Sequence, residues 1–304
     1  MHVAVMTEEV VAHARLWAGA RVLEATAGHG GHTAALARAG ARVIANDWDE
    51  AALQTARRNT AEWAERITFT RGPFSDLESR AAALGPLRFD ALIADLGVNR
   101  EQLVSPERGL SFMSDGPLDM RLDRSRAQTA ADLVNQLDEK TLADLIYKFG
   151  EERRSRQIAR AIVRARPLYS TARLASAIRS AVPRTEHIDP ATRTFMALRI
   201  AVNEELDEIE SLLDMIPRVL KPGGRAVILT FHSLEDRLCK RKFLEMAQQE
   251  KGTVITKKVV TPGQEEQRRN PPSRSAKLRC FEVGPATAPR KDAKPGNVRE
   301  ESQR

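Results

Sequence analysis

The chain has 304 residues, of which 42% are hydrophobic, enough for one large domain or two smaller ones. Its 48 Lys and Arg against 41 Asp and Glu give a net charge of +7, which favours an anionic partner such as nucleic acid or a ribosome, with general solubility as the plainer alternative. Two cysteines without a C-x-x-C pair argue against a disulfide framework or a zinc site, and no long apolar run opens the chain; a cytoplasmic protein without a signal peptide or membrane span is expected.

The pattern begins with an amphipathic helix over residues 7–16, with Thr7 as its N-cap and Glu8 and Glu9 in its first turn, expected to cover the sheet edge. Val22 to Ala25 read as a buried strand. Gly28-His29-Gly30-Gly31 form a tight turn, and a helix opens at Thr33. A glycine turn between strand and helix lets a ligand approach the backbone and meet free N–H groups. The dinucleotide fingerprint G-x-G-x-x-G fails here because its third position is Thr33. Glu24-x-Thr26-x-Gly28-x-Gly30 instead looks like the D/E-x-G-x-G-x-G pattern of S-adenosylmethionine (SAM) methyltransferases, with Thr26 in place of the first glycine. The loop alone leaves SAM, NAD and an unliganded turn open.

A second strand, residues 42–47, ends on Asp47, placed to grip ribose hydroxyls at the carboxyl edge of a sheet. A helix over residues 50–65 turns Leu53, Ala56 and Trp63 inward. Residues 67–70 form a third strand leading to Phe74, a candidate floor for an adenine pocket or a loop residue packed on its own sheet. The fourth strand, residues 89–95, ends on Asp95. Strands alternating with helices predict a mostly parallel sheet covered on both faces.

The alternation then stops. Turn signals at Ser105-Pro106, Arg108-Gly109 and Asp115-Gly116-Pro117 precede a helical stretch over residues 129–182 with no strand signal, too long for a loop. An all-helical insertion is expected, giving a first methyltransferase part over residues 1–104, the insertion over 105–196, a second part over 197–284 and a disordered basic tail over 285–304. Within the insertion Arg156, Arg160 and Arg164 stack along one helix face next to Arg153, either a phosphate track or a solvated face. A long helix up to about Arg218 follows Pro190. A fifth strand, residues 226–230, leads to Phe231-His232-Ser233-Leu234-Glu235-Asp236-Arg237 opening another helix, and the last strands are expected over 253–260 and 278–283.

Several strings then carry a specific resemblance: Gly30-Gly31-His32, Asp95-Leu96-Gly97-Val98, Arg108-Gly109-Leu110-Ser111-Phe112, Asp115-Gly116-Pro117-Leu118-Asp119-Met120-Arg121, Gly150-Glu151-Glu152-Arg153, Pro190-Ala191-Thr192-Arg193-Thr194-Phe195, the Phe231 to Arg237 run and Ser273-Arg274-Ser275-Ala276-Lys277-Leu278-Arg279. The chain resembles the 16S ribosomal RNA (cytosine-N4)-methyltransferase family, also called RsmH or MraW, over everything but the basic tail. The resemblance implies a Rossmann-like class I SAM methyltransferase with a seven-stranded, mostly parallel sheet and an inserted helical domain for substrate recognition. It implies methylation of a cytidine N4 in the decoding region of small-subunit rRNA.

Carried over by motif, the SAM contacts are Gly30, Gly31, His32, Asp47, Phe74, Asp95 and Gln102. Asp95 stands as proton acceptor or cofactor contact, with Asp119, His232 and Glu235 as further substrate candidates. Arg153, Arg156 and Arg160 are candidates for RNA contact. No metal is expected, and the oligomeric state, a homodimer among the options, is not given. Departures from the family pattern are Asn46 for glycine, Asn99-Arg100 for Ser-Ser, Leu110 for Phe, Met196 for Gln and Ala4 for Pro. Asn270-Pro271-Pro272-Ser273 is similar to the N-P-P-[YFW] motif of DNA amino-methyltransferases but lacks its aromatic residue and precedes the last strand, so it is not read as catalytic. Two readings compete with the main one: an amino-methyltransferase acting on another nucleic acid, and a ribosome-assembly factor without catalysis.

Overall fold

The computed structural model describes residues 4–98, 103, 105–182 and 189–284. Asn99-Arg100, Gln102 and the tail from 285, singled out in the sequence, lie outside these residues. A seven-stranded sheet in the order β3-β2-β1-β4-β5-β7-β6 forms the centre. Its strands are β1 (Arg21–Glu24), β2 (Arg42–Asp47), β3 (Ile67–Arg71), β4 (Phe89–Asp95), β5 (Leu220–Thr230), β6 (Gly252–Val254) and β7 (Lys277–Val283). The first five run parallel, and β7 pairs antiparallel with both β5 and β6. The continuous apolar runs of β1, β2 and β4 follow from a sheet buried on both faces.

One face carries a core of Leu23, Leu92, Ile228 and Phe281 under α4 (Leu77–Ala83), α10 (Glu205–Val219) and α11 (Ser233–Gln248). The other packs Val22, Val43, Ile93 and Val227 against α1 (Thr7–Ala14) and α2 (Gly31–Arg38), with α3 (Glu50–Asn59) adding Leu53. The first helix lies over β4 and β5 on this face and not at the sheet edge as expected. Thr7 is its first residue and not its cap; Met6, in the left-handed region at φ 52°, takes that place.

The inserted segment builds a separate core from α5 (Ala130–Gln136), α6 (Glu139–Gly150), α7 (Ser155–Ala165), α8 (Thr171–Ala181) and α9 (Ala191–Asn203). Leu133, Ile146, Ile158, Ile162, Leu174, Phe195, Leu198 and Val202 meet there. The expected long helix from Pro190 to Arg218 breaks at Glu204, whose φ of 51° ends α9 and redirects α10 onto the sheet. The helical core accordingly runs on to Val202, whereas the sequence reading closed this domain at residue 196.

Asn203 fixes the break. Its side-chain amide donates to the Met120 carbonyl at 2.8 Å and the Arg199 carbonyl at 2.9 Å, and its carbonyl accepts the Leu122 N–H at 2.8 Å. With 1% exposure, all of this amide's bonding is internal, so the loop through Met120 is tied to the hinge between the two cores.

Candidate active site

The carboxyl ends of β1, β2, β3 and β4 converge on one edge. Parallel strands place their ends side by side there, at the reversal of strand order where open α/β sheets take ligands. The turn after β1 is held by short bonds: the Ala25 N–H to the Ile93 carbonyl, and the Ala27 N–H to the Asn46 carbonyl. Thr26 explains its own departure from the glycine pattern, because its hydroxyl accepts the Asp95 N–H at 2.6 Å and ties the ends of β1 and β4 together.

Gly28 has φ 51° and open space where a Cβ would stand, so the turn presents bare backbone. Gly30 and Gly31 face inward. A Cβ on Gly30 would meet Thr60 at 2.9 Å, and one on Gly31 would meet Ala4 at 2.7 Å. Their absent side chains let α2 pack close, while its first turn leaves N–H groups without intrahelical partners at the sheet edge.

Asp47 ends β2 beside this turn. One carboxylate oxygen accepts the Gly28 N–H at 2.7 Å and the other the Asp49 N–H at 2.9 Å. Burial raises its pKa against those two bonds. Asn46 is wholly buried and laces three strand ends: its amide donates to the Ala25 and Gly72 carbonyls at 3.1 Å, and its oxygen accepts from Arg80 at 3.2 Å. Phe74 follows β3 and packs half-buried against the core under α10.

Among the described residues one Asp95 carboxylate oxygen is buried without a hydrogen-bond partner, and the other lies 3.7 Å from His32 Nδ1. Burial pushes its pKa up to about 7, and the charge of Glu235 adds to the shift. His32 Nε2 lies 2.9 Å from the Val5 carbonyl, which can only accept. Nε2 therefore carries the hydrogen, Nδ1 turns a lone pair toward Asp95, and burial keeps the ring neutral. Glu24, fully buried under the turn, accepts the Thr33 hydroxyl at 2.7 Å and is pushed to about 8 by burial.

Across the edge, His232 caps α11. Its Nδ1 faces the Glu235 N–H at 3.5 Å and its Nε2 lies 3.1 Å from Glu235 Oε1, so both ring nitrogens are turned toward one residue. Glu235 also accepts the Phe231 and His232 N–H groups. Asp119 is held by Arg121 through bonds of 2.7 Å and 2.9 Å, which keep its carboxyl below the usual carboxylate range. The structure thus brings Asp95, His32, the Gly28 turn and Asp47 together, sets His232 and Glu235 beside them, and occupies Asp119 with its own loop.

Arg153, Arg156 and Arg160 lie on the helical domain with their side chains exposed. Arg160 pairs with Glu139 at 3.3 Å. The opposite face of α7 buries Ile158 and Ile162. The helical domain also touches the N-terminus of α11: Glu151, at φ 48°, bonds Arg237 at 2.6 Å and the Ser233 hydroxyl.

The sequence reading missed Arg126, Trp48 and Glu208, which surround the segments after β2 and β3. Their signal is spatial, since the Arg126 guanidinium lies 4.8 Å from the centroid of a Trp48 ring far from it in sequence.

Comparison with known proteins gives the family. The family described as the MraW methylase family matches residues 1–284. A protein named ribosomal RNA small subunit methyltransferase H from Solibacter usitatus is 53% identical, with 93% of this chain and 100% of that one aligned. Its namesake from Sorangium cellulosum is 48% identical over 94% of this chain and 92% of its own. Among solved structures, an rRNA methylase from Streptococcus thermophilus aligns with 91% of this chain and 94% of its own at 13% identity and a TM-score of 0.42.

Proposed function

The chain belongs to the MraW methylase family, and from that premise we propose that it transfers the methyl group of SAM to the N4 of a cytidine in the decoding region of 16S rRNA, with the small ribosomal subunit as partner. The observation that carries the reading is the buried Asp95 oxygen, unpartnered among the described residues, at the carboxyl edge, one strand away from the glycine turn and two from Asp47.

The residues present fit the cofactor. Gly28 offers bare backbone, the first turn of α2 offers N–H donors, and Asp47 retains carboxylate lone pairs for ribose hydroxyls. Phe74 gives an apolar floor beyond β3, and Gly30, Gly31 and His32 complete the contact by motif. SAM supplies an activated sulfonium methyl.

The protein's task is to orient the nucleophile and take its proton. The cytosine amino group is a poor nucleophile because its lone pair is delocalised into the ring. Asp95 accepts a hydrogen bond from that amino group and then its proton. A carboxyl poised near 7 suits this work at neutral pH. The neutral His32 beside it adds no charge that would pull Asp95 back to the ordinary carboxylate range. Glu235 holds His232 and the chain after β5 as a wall of the site, and its negative charge raises the basicity of Asp95.

The helical domain supplies RNA recognition through Arg153 and Arg156, with Arg160 partly committed to Glu139. Methyl transfer from labelled SAM to unmethylated small subunits tests the reading. N4-methylcytidine in the product supports it, and its absence in the presence of intact SAM binding overturns it.

A further inference from the structure

The helical domain reaches back into the cofactor half of the molecule at one point. Asp47 is followed by Trp48 and Asp49, and Phe74 by Ser75, so the two segments that flank the adenosine side of the site are these short runs. Arg126, in the loop between the glycine-rich turns and α5, lies with its guanidinium over the Trp48 ring at 4.8 Å. The same guanidinium pairs with Glu204 at 2.8 Å and approaches Glu208 at 3.8 Å. Glu208 in turn accepts the Ser75 N–H at 3.0 Å and the Ser75 hydroxyl at 3.1 Å.

One side chain therefore joins the residue after Asp47, the residue after Phe74 and the break between the two cores. The contact is reinforced from the same loop. Asp123, held below its ordinary range first by the Ser125 N–H, is lowered further by the Trp48 side chain. Arg108 pairs with Asp49 at 2.6 Å, with 19% and 11% of the two side chains exposed.

We propose that Arg126 is a positioning residue for the cofactor site, setting the distance between Asp47 and Phe74 from the helical domain. The proposal rests on the reading that SAM lies between those two residues. The chemistry asks for arginine. A planar cation can lie flat on an indole and still direct its N–H groups at two carboxylates, whereas an ammonium supports only one of these contacts well. The side chain is 22% exposed and that of Glu208 11%, so solvent screens this approach less than at an open surface, whereas Glu204, at 62%, pairs in the open. Loss of the guanidinium frees Trp48 and removes the cation that Glu204 and Glu208 share. The ribose and adenine ends of the site then lose their shared anchor, while Asp95 keeps its place through Thr26.

The test measures SAM affinity by calorimetry in the full chain, together with KM for SAM and kcat on small subunits. The chain has three tryptophans, Trp17, Trp48 and Trp63, so a W17F/W63F background makes Trp48 the fluorescent reporter. Arg126→Ala is expected to raise the SAM Kd and KM about tenfold while leaving kcat at saturating SAM within about twofold. Arg126→Lys is expected to fall between that variant and the unmodified chain, and Trp48 fluorescence is expected to shift in both. A purely structural role would lower melting temperature and leave Kd in place. An unchanged SAM Kd in folded Arg126→Ala, or in Arg126→Lys should the alanine variant not fold, overturns the proposal. If the unmodified chain itself binds no SAM, it is the cofactor reading that falls.

Discussion

Replacing Asp95 with Asn separates chemistry from stability, because the two should move in opposite directions. The substitution keeps the shape and the buried oxygen but removes the ability to take a proton. Loss of a positioned general base costs about 10²- to 10⁴-fold in rate. The stability effect follows from the raised carboxyl. Folding lifts the pKa of Asp95 from 3.8 to about 7, so the folded state holds this proton more tightly than the unfolded chain does. The stability tied to the neutral form is complete below the unfolded value and is lost as pH rises through about 7.

Asparagine mimics the neutral form at every pH. A displacement of about three units is worth about 4 kcal/mol undiminished, and partial exposure of the side chain, at 21%, brings the gain to about 2–3 kcal/mol at pH 8. At pH 4 the gain should nearly vanish. Denaturant unfolding at the two pH values measures it, and kcat on small subunits from pH 5.5 to 8.5 measures the base. The unmodified enzyme should gain rate through pH 7, and the variant should be slow throughout. An Asp95→Asn enzyme with normal kcat but weakened SAM binding would make Asp95 a cofactor contact and refute the proton role. An equal stability change at both pH values would refute the electrostatic argument.

Asp47→Ala removes an acceptor of charge-assisted bonds and the anchor of the Gly28 N–H, and calorimetry should find SAM binding weakened by about 10²-fold or more. Arg156→Glu should weaken binding to small subunits and reduce the salt dependence of that binding by about one unit of slope, with SAM affinity unchanged. Asn203→Ala leaves the Met120 carbonyl and the Leu122 N–H unpaired inside the protein, and thermal unfolding should show a loss of about 2–3 kcal/mol.

Much of the catalytic half can be read from the chain because its signals are local. Strands β2 and β4 occupy the expected residues 42–47 and 89–95, each an apolar run closed by a carboxylate. The Gly28 turn, Asp47 and Asp95 lie on successive strand ends, so the parallel order alone brings them together. The features that escaped depend on partners distant in sequence. Nothing around Glu204 signals a helix break: neither glycine nor proline is there, and the cause is Asn203 bonding to a loop some eighty residues earlier. His232 in a histidine-bearing string suggests chemistry, and only the fold shows that its Nδ1 caps α11 while its Nε2 lies beside Glu235. Arg126 looks like one more basic residue in a basic chain until Trp48, Glu204 and Glu208 are placed around it. Thr26 and Asn46, departures from the usual glycines, each supply a bond that a glycine could not make.

The central claim is tested most directly by methyl transfer from labelled SAM to small ribosomal subunits from cells lacking this enzyme, with naked 16S rRNA and duplex DNA in parallel and nucleoside analysis of the products. N4-methylcytidine formed in rRNA, abolished by Asp95→Asn, is the predicted result. Transfer to DNA instead, or no transfer to any substrate by protein that binds SAM, would contradict it.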